Sequence, residues 1–225
     1  MLKIGVRLSP RFEDAGEYLA EARALDAAGI AAIWLDGEGH DPWMLLSSLA
    51  AVTGRARLVV PVTAAEGRAP AVLERRLTTL TRLSRGRVTA GLGPDVAGSD
   101  VERLLAIGRQ CDCPVIVPVR DTPHACAAGC VADALLSLHD TPEQLGPART
   151  AVQQRREQAG RKEPLEWWVR ATIPADAGAW WRTIRPAFAI AGATGLLVPA
   201  DPRLLDLLRN GDEEDDRSDL QLAQG

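Results

Sequence analysis

Short runs rich in β-branched and other apolar residues alternate along this chain with longer segments whose apolar residues recur at helical spacing. The short runs predict strands, and the longer segments predict helices. Because strands that alternate with helices pair in parallel, the pattern predicts an α/β protein. The predicted strands span residues 2–8, 31–36, 57–62, 87–93, 114–119, 132–138, 166–173 and 195–200.

Several of the intervening segments also carry helix boundary signals. Residues 16–29 have apolar positions at helical spacing, and the helix is predicted to stop at Gly29. Asp41 is a predicted N-cap because a proline follows it at the first helical position. Thr141 is another predicted N-cap, with Gln144 placed to complete a capping box.

Eight strand-then-helix units predict a compact, closed (β/α)8 TIM barrel over residues 1–210. An open, doubly wound sheet is built from the same units, but it would carry a glycine-rich phosphate loop after the first strand, and this chain has none. Residues 211–225 combine clustered acids with almost no apolar side chains, which predicts a disordered tail.

Composition narrows the class of protein. Hydrophobic residues make up 46% of the chain and charged residues 25%, the mixture typical of a folded, soluble protein. A net charge of −4 gives no basic field for a nucleic acid. The chain has neither an apolar run of membrane-spanning length nor a signal peptide, so we expect a cytoplasmic protein without membrane or nucleic-acid partners.

Ligands of β/α barrels bind where the strands end and the helices begin. Both lysines, Lys3 and Lys162, precede strands and belong to the opposite face, which excludes a Schiff-base mechanism. All three histidines fall on the functional side. With nearby aspartates they suggest a metal-dependent hydrolase as one alternative. Without a His-x-His pair or a histidine on strand 1, we assign no metal ligand; the residues concerned are His40, His124, His139, Asp36, Asp121 and Asp140.

The cysteines and the paired tryptophans have simpler interpretations. The spacing of Cys111, Cys113, Cys126 and Cys130 matches no common metal site, so we expect free, buried thiols. Neighbouring residues on a strand face opposite ways, so the pair at 167–168 should divide between two packing layers. One member of each tryptophan pair is a candidate for lining a pocket.

Three segments, residues 20–62, 68–93 and 113–145, together resemble the bacterial luciferase-like monooxygenases, a family of flavin- and deazaflavin-dependent oxidoreductases. The motifs that carry the resemblance are an Ala-Gly-x-x-x-x-Trp turn, an Asp-Pro helix start, a Leu-Ser-x-Gly-Arg junction and an Ala-Asp strand, in the order of the family. Each motif alone is weak. The resemblance implies a β/α barrel that binds a flavin or deazaflavin ring at the strand ends.

The resemblance also implies roles for particular residues. The loop from Asp36 to His40 would lie beside the ring, and Val62 and Thr63 would lie where the ring rests. Gly91 and Gly93 would let strand 4 approach the cofactor without side chains. Residues Arg120, Asp121 and Thr122 would meet the cofactor phosphate through a positive charge and the amides at a helix start. His40 is the candidate for proton transfer, because its pKa in free solution lies near neutral pH.

In the family, a glycine-rich fourth strand is followed by a long insertion that covers the substrate. Here Pro94 and Asp95 lead to Cys113 within about twenty residues, so we expect no lid and poor exclusion of water. Two hypotheses follow from this. The protein is either an oxidoreductase or monooxygenase using FMN or an 8-hydroxy-5-deazaflavin coenzyme on a small molecule, or a non-catalytic barrel that binds a cofactor or serves as a scaffold. The resemblance further implies a homodimer formed through the early helices, including the apolar segment 42–53.

Overall fold

Eight parallel strands form a closed barrel in which each strand pairs with the next along the chain and β8 pairs with β1. The computed structural model describes residues 2–93, 95–137 and 141–210. Closure between the first and last strands places Ile4 opposite Leu196. The barrel prediction is confirmed, and the open doubly wound sheet is excluded. The strands are β1 (Lys3–Leu8), β2 (Ala32–Leu35), β3 (Arg57–Val62), β4 (Val88–Leu92), β5 (Val115–Val119), β6 (Ala134–Ser137), β7 (Glu166–Arg170) and β8 (Gly195–Pro199).

The helices surround the barrel and return the chain from the carboxyl end of one strand to the amino end of the next. They are α1 (Ala15–Ala27), α2 (Pro42–Val52), α3 (Ala64–Gly67), α4 (Pro70–Leu83), α5 (Ser99–Gln110), α6 (Thr122–Gly129), α7 (Pro142–Gln158), α8 (Ala177–Ile190) and α9 (Leu204–Asn210). The predicted acidic tail lies outside the described residues.

Helix boundaries follow the signals in the sequence with one exception. Asp41 accepts hydrogen bonds from the amides of Trp43 and Met44, as an N-cap does. Gly29, just beyond α1, adopts a φ of 86°, which only glycine enters easily. The prediction of a capping box at α7 was wrong. Thr141 is the N-cap by position, but its side chain makes no capping hydrogen bond to any described residue. Pro142, which has no N–H to satisfy, marks this helix start.

Two apolar layers hold the barrel together. Alternate strand residues point inward and form a small cluster that includes Trp34, Val59 and Trp168. Their neighbours point outward and form the larger layer between the strands and the helices, which includes Trp167. The predicted division of this tryptophan pair is therefore confirmed. A Cβ at Gly195 would collide with the Trp168 ring, so this glycine makes room for the largest interior side chain.

Ionic contacts close the amino end of the barrel. Glu166 accepts from Lys3 at 2.6 Å and from both terminal nitrogens of Arg57 at 2.5 and 2.9 Å. The Glu166 side chain retains only 23% of its exposure. Lys3 is thus at the amino end, as predicted, and is committed to a structural contact.

Two further polar side chains fasten connections at the same end. The carboxylate of Asp26 accepts from the backbone amides of residues 54–56, and burial, which raises its pKa, is outweighed by these three hydrogen bonds, so that the pKa is lowered. Arg87 donates to carbonyl oxygens of Ala50, Thr53, Ala56 and Ser84.

None of the helices formed by the described residues is long and apolar enough to cross a membrane.

Candidate active site

Three charged side chains meet at the carboxyl-end mouth, which is the end of the barrel where the eight strands finish. Arg7 is the fifth residue of β1, Arg170 ends β7, and Asp36 directly follows β2. The same oxygen of Asp36, Oδ2, lies 3.0 Å from Nη1 of Arg7 and 3.2 Å from Nη2 of Arg170. One carboxylate therefore serves two guanidinium groups, and the group carries a net positive charge.

A cavity of about 380 Å³ opens beside the two arginines, between the end of β7 and α8. This volume falls within the range of small-molecule sites. The walls combine guanidinium and hydroxyl groups with aromatic and aliphatic surface: they include Arg7, Arg170, Thr172, Trp180, Ile184 and Phe188. Of the second tryptophan pair, Trp180 lines this cavity, and Trp181 lines a smaller one of about 190 Å³ on the other side of α8 from it, so both members line a pocket where one was expected.

The β2 loop reaches the mouth as predicted, but His40 does not line this cavity. His40 is exposed, its backbone amide donates to Pro10, and its ring lies 4.5 Å from the ring of Phe12. Arg11 bonds the carbonyl and the carboxylate of Glu38 in the same loop. Contacts with the β1 loop thus hold the β2 loop in place, and proton transfer by His40 stays a prediction.

The ends of β3 and β4 are occupied by the chain's own groups. The side chain of Val62 packs in the strand–helix layer, and Thr63 caps α3 in a capping box with Glu66. Asp95 covers Gly93: one carboxylate oxygen accepts from the Ala64 amide at 2.9 Å, and the other lies 2.6 Å from where a Cβ on Gly93 would be.

Gly91 faces the barrel interior instead of open space. A Cβ there would lie 3.0 Å from Cγ1 of Val59 and 3.7 Å from the Trp34 ring. The absence of a side chain at this glycine is explained by interior packing. A cofactor role for Gly91, Gly93, Val62 or Thr63 remains a prediction.

The loop after β5 provides few free backbone N–H groups for a phosphate. Arg120 and Asp121 are exposed, and Asp121 caps α6 by accepting from the His124 amide at 2.8 Å. The second residue of the helix, Pro123, has no N–H. In the first turn only the Thr122 amide is left to meet an anion, and the Asp121 carboxylate repels one. Arg120 adds an exposed guanidinium to this amide, and the phosphate site predicted from Arg120, Asp121 and Thr122 stays a prediction.

Neither metal nor thiol chemistry gains support at the mouth. The described residues contain no group of three or more histidine, cysteine or acidic side chains placed to hold a metal ion. Two members of the predicted histidine–aspartate set, His139 and Asp140, lie outside the described residues. All four cysteines are described and are free, as expected, but only Cys113 is buried and the other three are half-buried; burial raises the pKa of Cys113 to about 12.

Fold and cavity together define the class of this protein: a (β/α)8 barrel with a ligand-sized cavity at the carboxyl ends of its strands, where barrels of this kind bind their ligands. Within that class, the luciferase-like monooxygenase family model matches residues 2–110. This match confirms the resemblance drawn from the sequence, over the residues that the family model covers. A search of curated proteins found no match.

Solved structures agree with the family in fold. The coenzyme F420-dependent tetrahydromethanopterin reductase of Methanopyrus kandleri superimposes with a TM-score of 0.72 at 12% identity, covering 94% of this chain and 98% of that one. An F420-dependent secondary alcohol dehydrogenase gives 0.71 at 12% identity, with 95% and 99% covered. The oxygenating constituent of 3,6-diketocamphane monooxygenase from Pseudomonas putida, in complex with FMN, gives 0.70 at 12% identity, with 94% and 96% covered. At such identity these similarities establish the fold alone.

Two residues at the mouth were missed by sequence reasoning, namely Arg7 and Arg170. A signal for both existed. In KIGVRL and EWWVR the charged residues sit at alternate positions, on the same side of the strand as residues that fill the barrel interior. A charge at an inward position near the carboxyl end of a strand points directly to the mouth.

Proposed function

We propose that this protein is a luciferase-like oxidoreductase that uses FMN or an 8-hydroxy-5-deazaflavin coenzyme to transfer hydride to, or oxygenate, a small molecule. The observation that carries the proposal is the cavity of about 380 Å³ beside Arg7 and Arg170 at the mouth. The match to the luciferase-like family model supports the class of reaction. The structural neighbours, two of which are F420-dependent while a third is in complex with FMN, support the choice of coenzymes.

The chemistry of the cavity fits a planar, anionic group. The Nε atoms of Arg7 and Arg170 are buried and have no hydrogen-bond partner among the described residues, so both guanidinium groups beside the cavity have unused hydrogen-bonding capacity. Trp180 and Ile184 provide flat apolar surface for a ring. A bound flavin or deazaflavin would supply the hydride-transferring group.

The remaining roles belong to side chains of the chain itself. Asp36 holds both guanidinium groups at the mouth, and the ring contact expected for it from the sequence stays a prediction. His40 is retained as the proposed proton-transfer residue because it is exposed at the same end of the barrel.

A coenzyme titration tests the proposal. Purified protein is titrated with FMN and with the deazaflavin coenzyme, each oxidised and reduced, while absorbance and fluorescence are followed. We expect micromolar, saturable binding of one coenzyme. Arg170→Gln should weaken that binding about tenfold or more, because it removes a charged hydrogen-bond donor. Arg182→Gln, which removes an exposed arginine of α8 outside the cavity, is the matched control. Arg120→Ala tests the phosphate site expected from the sequence.

A non-catalytic, cofactor-binding or scaffold barrel is the second candidate. Asp95 covers the β4 end where the resemblance places the ring, and this contact favours a barrel that has lost its chemistry. If the wild type binds neither coenzyme while circular dichroism shows a folded protein, the oxidoreductase proposal is wrong and the scaffold is left.

A homodimer through the early helices also belongs to the proposal. Met44 on α2 is 69% exposed, and a shallow apolar groove runs between α1 and Val52 of α2. Light scattering coupled to size exclusion tests it: we expect twice the chain mass, and Met44→Asp should shift the protein toward monomer. The cytoplasmic location expected from the sequence stays a prediction.

A further inference from the structure

The two ends of the barrel each place one carboxylate between two basic side chains, but they differ in how far the contacts are completed. At the amino end both oxygens of Glu166 accept, and Arg57 uses two nitrogens at 2.5 and 2.9 Å. At the mouth one oxygen of Asp36 takes a single nitrogen from each arginine at 3.0 and 3.2 Å. The arginines at the mouth are therefore less completely bonded.

Uncommitted hydrogen-bonding capacity accompanies this difference. A guanidinium carries five N–H donors in a planar fork. The Nε atoms of both Arg7 and Arg170 are buried without a partner in the described part of the chain. Buried donors of this kind are costly unless a ligand or water satisfies them. Arg57, by contrast, pairs with Glu166 through two nitrogens.

The net charge beside the cavity also favours an anionic ligand. Two guanidinium groups against one carboxylate leave one unit of positive charge beside the cavity. The other walls are an indole, an isoleucine and a phenylalanine, with the hydroxyl of Thr172 at the rim. A positive end and an aromatic body match a ligand that has a negative head on a flat, apolar frame.

We infer that the cavity between β7 and α8 binds a ligand with an anionic head, a carboxylate or a phosphate, on an aromatic or conjugated body. The head lies on Arg7 and Arg170, and the body lies against Trp180 and Ile184. Asp36 holds the two guanidinium groups in place and keeps the free site from carrying two uncompensated charges. This inference rests on the proposed function only in that it concerns the same cavity.

Small probes test the inference without any coenzyme. Phenyl phosphate and benzoate supply the head and the ring, and benzyl alcohol is the neutral counterpart. Isothermal titration calorimetry on the wild type should show each anion binding at least about tenfold more tightly than the alcohol. Raising sodium chloride from about 50 to about 500 mM should weaken only the anions, because salt screens the arginines. Equal binding of anions and alcohol would overturn the inference.

Variants assign the effect to residues. Arg170→Gln and Arg7→Gln should each reduce the preference for anions about tenfold and leave benzyl alcohol unchanged, whereas Trp180→Ala should weaken all three probes. Arg182→Gln on the same helix as Trp180 should retain the full preference. Near-ultraviolet circular dichroism confirms that each variant is folded, and the wild-type salt and probe comparison stands if one is not. An unchanged preference in folded Arg170→Gln would refute the assignment.

The source of the anion is decided by competition. If the head is the coenzyme phosphate, phenyl phosphate should displace FMN, and the wild type should prefer FMN to riboflavin. If the head belongs to the substrate, phenyl phosphate and the coenzyme should bind together. Should both coenzymes fail to bind while the small anions bind through Arg170, the proposed function is wrong and the inference stands. If a coenzyme binds but the small probes show no preference for anions, the inference is wrong and the proposed function stands.

Discussion

Replacing Glu166 by glutamine should destabilise the barrel and remove part of its sensitivity to acid. Burial raises the pKa of Glu166, but hydrogen bonds and charge from Arg57 and Lys3 outweigh it and lower the pKa from 4.5 to about 2. At about 1.4 kcal/mol per pKa unit, this difference corresponds to about 3 kcal/mol of folding stability at neutral pH. The figure is an upper one, because the side chain keeps 23% of its exposure.

The sign of the pH dependence follows from the lowered pKa. The contribution is complete above the unfolded pKa near 4.5 and is lost as the pH falls through the folded value near 2. By this linkage it should fall from about 3 kcal/mol at pH 7 to about 1.4 kcal/mol at pH 3. The wild type and the variant should therefore differ less at pH 3 than at pH 7.

Urea unfolding followed by circular dichroism at pH 7, 5 and 3 measures this difference. Glu13→Gln is the control, since Glu13 is exposed and makes no ion pair with any described residue. The control should change the free energy of unfolding little. A Glu166→Gln variant as stable as the wild type at pH 7, or a difference that does not shrink by pH 3, would refute the reasoning.

Three further perturbations have defined outcomes. Asp26→Ala removes the acceptor of three backbone amides, and we expect the free energy of unfolding in urea to fall by about 2–3 kcal/mol. An unchanged stability would contradict a structural role for these three hydrogen bonds. Gly195→Ala places a Cβ against the Trp168 ring and should cost about 1–3 kcal/mol, whereas Gly146→Ala, at a helical site with open space, should not destabilise the protein. Cys113, whose pKa is raised to about 12, should resist alkylation at pH 8 in the folded protein and react only on unfolding. Mass spectrometry of labelled peptides measures this, and rapid labelling of Cys113 in the native protein would contradict the prediction.

The fold was predictable because local patterns and the closed barrel agree. Period-2 runs and helical segments alternate eight times, and signals such as Asp41 with Pro42 fix helix starts without reference to the rest of the chain. Strand ends were less certain. β7 stops at Arg170 and not at residue 173, because the chain must turn toward α8 once it reaches the mouth.

The site was harder to predict because its contacts join distant parts of the chain. Asp36 and Arg170 meet only after β7, β8, β1 and β2 have closed side by side, and no local pattern records that pairing. The resemblance placed Asp36 correctly at the mouth and suggested a ring contact for it. It directed attention to glycines that the structure shows packed against Val59 and Asp95.

Polar groups in the connections at the mouth form hydrogen bonds with one another. The hydrogen-bonding groups left for a ligand are therefore to be sought elsewhere at the mouth. The longest connections there, residues 9–14, 36–41, 93–98 and 171–176, have six residues each. Arg11 bonds Glu38, Asp95 bonds the Ala64 amide, and Arg203 donates to the carbonyls of Pro174 and Ala175. These loop groups already have partners, and the polar groups that line the cavity are Arg7 and Arg170 of the strands with Thr172 of the loop after β7. Both arginines stand near the carboxyl ends of their strands at inward-facing positions, so their charge reaches the mouth without a long loop to carry it.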